Sequence, residues 1–80
     1  MRPFFEAVVD TLAAGRPAAT ATIVKAGGST PRAVGARMIV MEEGPPLFTL
    51  GGGAFEAEVI RDAREAIRAG APVLKAYSLA

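Results

Sequence analysis

The chain has no cysteine, no histidine and no tryptophan among its 80 residues. Without cysteine there is no disulfide staple and no Cys-based metal clip. Without histidine the usual zinc ligand set is missing, and a serine nucleophile has no imidazole base to activate it. An excess of one charge sign is also absent, since nine Lys/Arg and eight Asp/Glu nearly cancel. They are scattered and form no basic stripe of the kind that tracks a phosphate backbone, so no nucleic-acid partner is expected. No run approaches the roughly 18 uncharged apolar residues of a membrane span. Glu6 and Asp10 interrupt the apolar positions near the start, where a secretory h-region would carry no charge. A cytoplasmic protein with no membrane association is the expectation.

What the chain has in quantity is apolar side chains, at 51% with a mean hydropathy of +0.34. One domain over residues 1–80 is expected from the length. A domain of about 60 residues buries only roughly 60% of its unfolded surface. Either a partner, such as a second copy in a homo-oligomer, covers part of this apolar surface, or alanine, which buries little, inflates the share.

Helical spacing of Phe4, Phe5, Val8, Val9 and Leu12 predicts a helix over 3–14, with Pro3 at its start and Gly15 as its stop. Residues 18–25 are rich in β-branched side chains and read as a strand. Residues 26–35 form a Gly/Pro loop. Residues 37–41 and 47–50 read as strands of an antiparallel hairpin, joined by Glu42-Glu43-Gly44-Pro45-Pro46. A second helix is predicted over 54–69, with Phe55, Val59, Ile60, Ala63 and Ile67 as its apolar stripe and Arg61–Glu65 and Glu65–Arg68 as surface pairs. Gly70 and Pro72 end it, and residues 73–77 read as a last strand. The order is α-β-β-β-α-β. This is an α/β (α+β) fold with a small mixed sheet of about four strands and both helices packed on one face.

Three consecutive glycines, Gly51-Gly52-Gly53, stand between a strand and a helix. Each costs about 1 kcal/mol of backbone entropy relative to alanine. They serve either a sharp reversal needing positive φ or a close approach of backbone N–H groups to a ligand. A helix start offers free N–H donors and about half a positive charge, which suits phosphate or carboxylate. Ala54 and Phe55 would supply N–H groups there. Glu56 is either a favourable helix-dipole partner or a reach back to an orphan N–H, or else a polar contact to a ring N–H or amine of a ligand.

The other glycine loop carries Ser29, Thr30, Pro31 and Arg32. Arginine suits bidentate phosphate contact, and the two hydroxyls can donate to the same oxygens. The alternative is that Ser29 and Thr30 only hold the loop through local bonds and Arg32 is solvated. Neither loop is a P-loop, because the lysine and the following Ser/Thr are missing, and there is no G-x-G-x-x-G unit. No carboxylate pair suggests acid–base chemistry, so no catalytic residue is assigned and an enzyme is not expected.

The run Ala26-Gly27-Gly28-Ser29-Thr30-Pro31-Arg32-Ala33-Val34-Gly35-Ala36-Arg37-Met38 resembles the G-S-x-P-R-x-x-G-A-x-M signature of the XdhC/CoxI family. Thr49-Leu50-Gly51-Gly52-Gly53-Ala54-Phe55-Glu56 resembles that family's G-x-I-G-G-G-x-x-E segment. The resemblance implies a xanthine dehydrogenase accessory protein, a chaperone that handles molybdenum cofactor and serves molybdenum hydroxylases. It implies that Ser29, Thr30, Pro31, Arg32 and Gly51, Gly52, Gly53, Ala54, Phe55 and Glu56 belong to the cofactor-handling region, with Glu56 facing the pterin or the partner. Long members of the family continue into a Rossmann-type domain, expected here as a separate subunit. Some members carry a cysteine in the second segment. Gly53-Ala54-Phe55 offers no thiolate, so no metal is expected to be held directly by side chains. Thr49 stands where glycine is common. The alternative function is a protein-interaction or dimerisation module with no cofactor of its own.

Overall fold

The structure, a computed structural model, describes residues 2–26 and 34–77. The elements are α1 (Arg2–Ala13), β1 (Ala18–Thr22), β2 (Arg37–Met41), β3 (Leu47–Phe48) and α2 (Gly53–Ala69). Ser29, Thr30, Pro31 and Arg32 lie outside the described residues.

Both helices end as their sequences require. In α1, Gly15 takes φ 69°, its N–H donates to Leu12 O, and the N–H of Arg16 donates to Thr11 O. In α2, Gly70 at φ 68° does the same, with Gly70 N donating to Ile67 O and Ala71 N to Ala66 O. These are Schellman closures, and glycine supplies the left-handed residue at no steric cost. Thr11 is polar yet buried, because its hydroxyl donates to Ala7 O at 2.7 Å within the helix.

The described sheet has three antiparallel strands in the order β1-β2-β3. Ala18 pairs with Met41 and Thr22 with Arg37. Ile23 N–H continues the ladder by donating to Ala36 O at 3.0 Å. The α+β class is as expected, while three details differ. The sheet is antiparallel rather than mixed. It has three strands rather than about four, since residues 73–77 form no regular element and do not join the ladder. The helices lie on opposite faces rather than on one.

The last difference follows from β2. Side chains of a strand alternate between faces. Met38 and Val40 pack with Ile23, Leu50 and Val59 on the α2 side, whereas Ile39 and Met41 pack with Phe4 of α1 on the other. β2 is thus the central layer of an α/β/α arrangement. Its run Met38-Ile39-Val40-Met41 has no polar residue because neither face meets water. Arg37, at the strand's start, lays its guanidinium over the rings of Phe4 and Phe5 at 5.7 and 5.5 Å.

The ends of the hairpin are fixed from α2. Arg64 Nε donates to Met41 O at 3.1 Å and Nη2 to Gly44 O at 2.7 Å. Phe48 is the non-glycine residue with positive φ, 66°, among the described residues. Its ring packs on Phe4 at 5.6 Å, a contact that offsets the 1–2 kcal/mol or so that a left-handed conformation costs an L-residue.

Candidate functional site at the glycine turn

β3 leads through Thr49 and Leu50 into the glycine run. Gly51, Gly52 and Gly53 have φ of 119°, 79° and 72°. All three lie where a side chain is strained, so the turn requires glycine at each position. A Cβ built on Gly52 or Gly53 would meet nothing within 4 Å. The glycines therefore serve the reversal, and they also leave bare backbone on the outer side of the turn.

The inner side is closed by Glu56. Its Oε1 accepts three hydrogen bonds: from Thr49 Oγ1 at 2.5 Å, Leu50 N at 2.8 Å and Gly52 N at 3.2 Å. Thr49 Oγ1 in turn accepts from Gly51 N at 3.0 Å. One carboxylate from the first turn of α2 thus reaches back to donors of the turn that precedes it. It also places negative charge near the helix start, where the macrodipole favours it. Of the readings open in the sequence, the reach to orphan N–H groups describes this contact.

The expected site residues of the second segment, Gly51 to Glu56, come together in one turn and helix start. Thr49 and Leu50 were not assigned to it, yet both bond the carboxylate. The signal was available in part, since a Thr or Ser a few residues ahead of a Glu at a helix start is a capping pattern. Here the glycines lengthen the spacing from three to seven, and the pattern is hidden.

A second polar cluster was not foreseen. Asp62 of α2 holds Lys75 Nζ and the Tyr77 hydroxyl on Oδ2, at 2.9 and 2.7 Å. Arg61 Nε lies 3.5 Å from Oδ1, so Arg61 turns to Asp62 rather than to Glu65. The hydrogen bonds from Lys75 and Tyr77 hold the Asp62 carboxyl below its usual value. Burial, followed by the bond to Asp62, pushes the Tyr77 phenol up to about 12. The ring of Tyr77 meets Phe55 edge-on at 5.5 Å and joins the core on the α2 side.

No helix among the described residues is long and apolar enough to cross a membrane. No curated protein and no solved structure matches the chain. The model of the XdhC and CoxI family matches residues 11–78, a span that includes both glycine segments. The chain therefore belongs to the XdhC and CoxI family, whose members have an accessory role in the maturation of xanthine dehydrogenase and CO dehydrogenase.

Proposed function

We propose that the chain is a cytoplasmic, non-catalytic chaperone module that handles molybdenum cofactor for xanthine dehydrogenase-type molybdenum hydroxylases, with a separate Rossmann-domain subunit completing the site. The observation that carries this reading is the bare outer side of the glycine turn, with nothing within 4 Å of where the Gly52 and Gly53 side chains would begin.

The donor chemistry there fits an anion. The first N–H groups of a helix have no partner within it, and they sit at its positive end. Leu50 N and Gly52 N are already bonded to Glu56. The phosphate of the cofactor would therefore lie against Gly53 and Ala54, and the first segment, with Ser29, Thr30, Pro31 and Arg32, would supply further donors to it. When bound, the cofactor supplies the molybdenum chemistry and the chain supplies only the hold. Glu56 keeps the turn in shape and does not touch the phosphate.

Ala54→Asp tests this without disturbing the fold. Ala54 is exposed, and a carboxylate in the first turn stabilises a helix by about 0.3–1 kcal/mol. The same carboxylate repels a phosphate. Titration of molybdopterin should give binding to the wild type and at least about tenfold weaker binding, some 1.4 kcal/mol, to Ala54→Asp and Arg32→Ala. Equal affinity in all three would remove the cofactor from this turn.

A second reading is a protein-interaction or dimerisation module with no cofactor of its own. Phe5, Val9 and Leu12 lie along one side of α1 and are 52%, 62% and 73% exposed. Spacing of i, i+4 and i+7 aligns them as a stripe. Sedimentation of the wild type against Val9→Glu tests it, and a monomer that purifies with pterin fluorescence would favour the first reading.

A further inference from the structure

The outer edge of β1 is unpaired among the described residues, because β1 is the terminal strand of the sheet. Ile23 both donates to Ala36 O and accepts from Gly35 N, so its backbone groups face β2. The groups of a strand alternate in direction. Thr20 and Thr22 therefore turn their N–H and C=O outward. Sheet edges are usually blunted by charge, proline or a bulge. Ala18-Ala19-Thr20-Ala21-Thr22 carries neither charge nor proline.

Beside that edge runs a groove of about 1230 Å³ whose far wall is residues 70–77 and whose floor includes Val59, Ala63 and Ile67 of α2. The direction of the far wall is fixed at both ends. α2 begins beside Ile23 and Leu50, through Phe55 and Val59. Its later half lies at the other end of β1, because Arg64 bonds Met41 O and Met41 is the partner of Ala18. The chain then returns until Tyr77 meets Phe55 at 5.5 Å. Residues 73–77 thus run parallel to β1, over five residues facing a strand of five.

Two residues of the segment, spaced by two as on one face of a strand, share a partner. Lys75 and Tyr77 both reach Asp62 on the α2 side. Leu74 is 87% exposed. α2, with 17 residues, supplies the long crossover that a parallel connection from β3 needs.

We propose that Val73–Tyr77 is a strap that closes onto the free edge of β1 as a parallel fourth strand, filling the groove, with Asp62 as its clasp. In the open state the structure describes, the groove and the strand edge are accessible together. In the closed state both are gone.

Amide hydrogen exchange on the chain tests this residue by residue. The wild type is expected to exchange Thr20 and Thr22 N–H at least about tenfold more slowly than Leu74→Pro, since a paired edge amide must open to exchange. Leu74→Pro removes a donor from the strap and leaves Lys75, Tyr77 and Asp62 in place. Helix content by circular dichroism checks that the variant folds. Thr20→Cys/Leu74→Cys provides a second measurement, expected to form a disulfide within one chain on mild oxidation. Equal, fast exchange at Thr20 and Thr22 in both proteins, with no intrachain disulfide, overturns the proposal. Protection that grows with protein concentration and survives Leu74→Pro assigns the edge to a second copy and also overturns it.

Discussion

Glu56 Oε1 accepts the hydroxyl of Thr49 at 2.5 Å, across the three glycines that lie between these two residues. That one oxygen also takes the N–H groups of Leu50 and Gly52, so the carboxylate acts as the anion for most of the turn's inward donors. Glu56→Ala would leave these donors without their acceptor, and an unsatisfied donor that is not fully solvated costs about 1–3 kcal/mol. We expect Glu56→Ala to lose about 1–3 kcal/mol in urea unfolding. Glu56→Gln keeps an acceptor oxygen and should recover part of the loss. A Gln variant no more stable than Ala would show that the charge, not the acceptor, holds the turn.

The position of the two helices on opposite faces of β2 predicts a pattern of coupling. Phe4 packs with Ile39, while Met38 faces the other way. Ile39→Val should cost about 0.5–1.5 kcal/mol alone. Combined with Phe4→Leu it should deviate from additivity by about 0.5 kcal/mol or more, as residues in contact do. Met38→Leu combined with Phe4→Leu should be additive to within about 0.5 kcal/mol. Chemical denaturation of the three single and two double variants measures both cycles, and coupling between Phe4 and Met38 would place both helices on one face.

That placement was legible in the sequence but is easily misread. The unbroken apolar run from Met38 to Met41 is the mark of a strand buried on both sides, whereas strands covered on one face alternate. Local signals fared better: Gly15 and Gly70 mark the helix ends, and the glycine run marks the turn. The turn's chemistry was half legible. Glu56 stood out as a carboxylate in the first helical turn, but its choice between the backbone and a ligand depends on where three glycines send the chain. The clasp of Asp62 was not legible, because Lys75 and Tyr77 lie 13 and 15 residues away and no periodicity links them. Residues 73–77 have a strand's composition, and pairing depends on a neighbour the sequence does not name.

Arg64 is bound to two carbonyls of the hairpin, Met41 O and Gly44 O, through Nε and Nη2. The flat guanidinium can serve both at once, and an ammonium group is a single point. Arg64→Lys should therefore lose about 0.5–1.5 kcal/mol, the net value of one hydrogen bond. In a domain of this size that corresponds to a midpoint lowered by about 4–8 °C per kcal/mol. Calorimetry of the variant measures it. An unchanged midpoint would show that the turn at Gly44 holds itself.

The chain has one tyrosine and no tryptophan, so the absorbance of tyrosinate reads Tyr77 alone. Its phenol is raised to about 12, first by burial and then by the bond to Asp62. The folded state therefore keeps this proton more tightly than the unfolded chain, whose tyrosine titrates near 10. Stability from this bond is complete below pH 10 and is lost as pH rises toward 12. Asp62 has the opposite sign. Its carboxyl is held below 3.8, chiefly by the hydrogen bonds from Lys75 and Tyr77, so its contribution is present above that pH and is lost on further acidification. Alkaline titration of the wild type should give a midpoint near 12. Asp62→Asn should move it down but leave it above 10, because the burial remains. A midpoint near 10 in the wild type would mean that the phenol is neither buried nor bonded in solution. An Asn variant equal to the wild type would leave burial as the whole cause and remove Asp62 from the clasp.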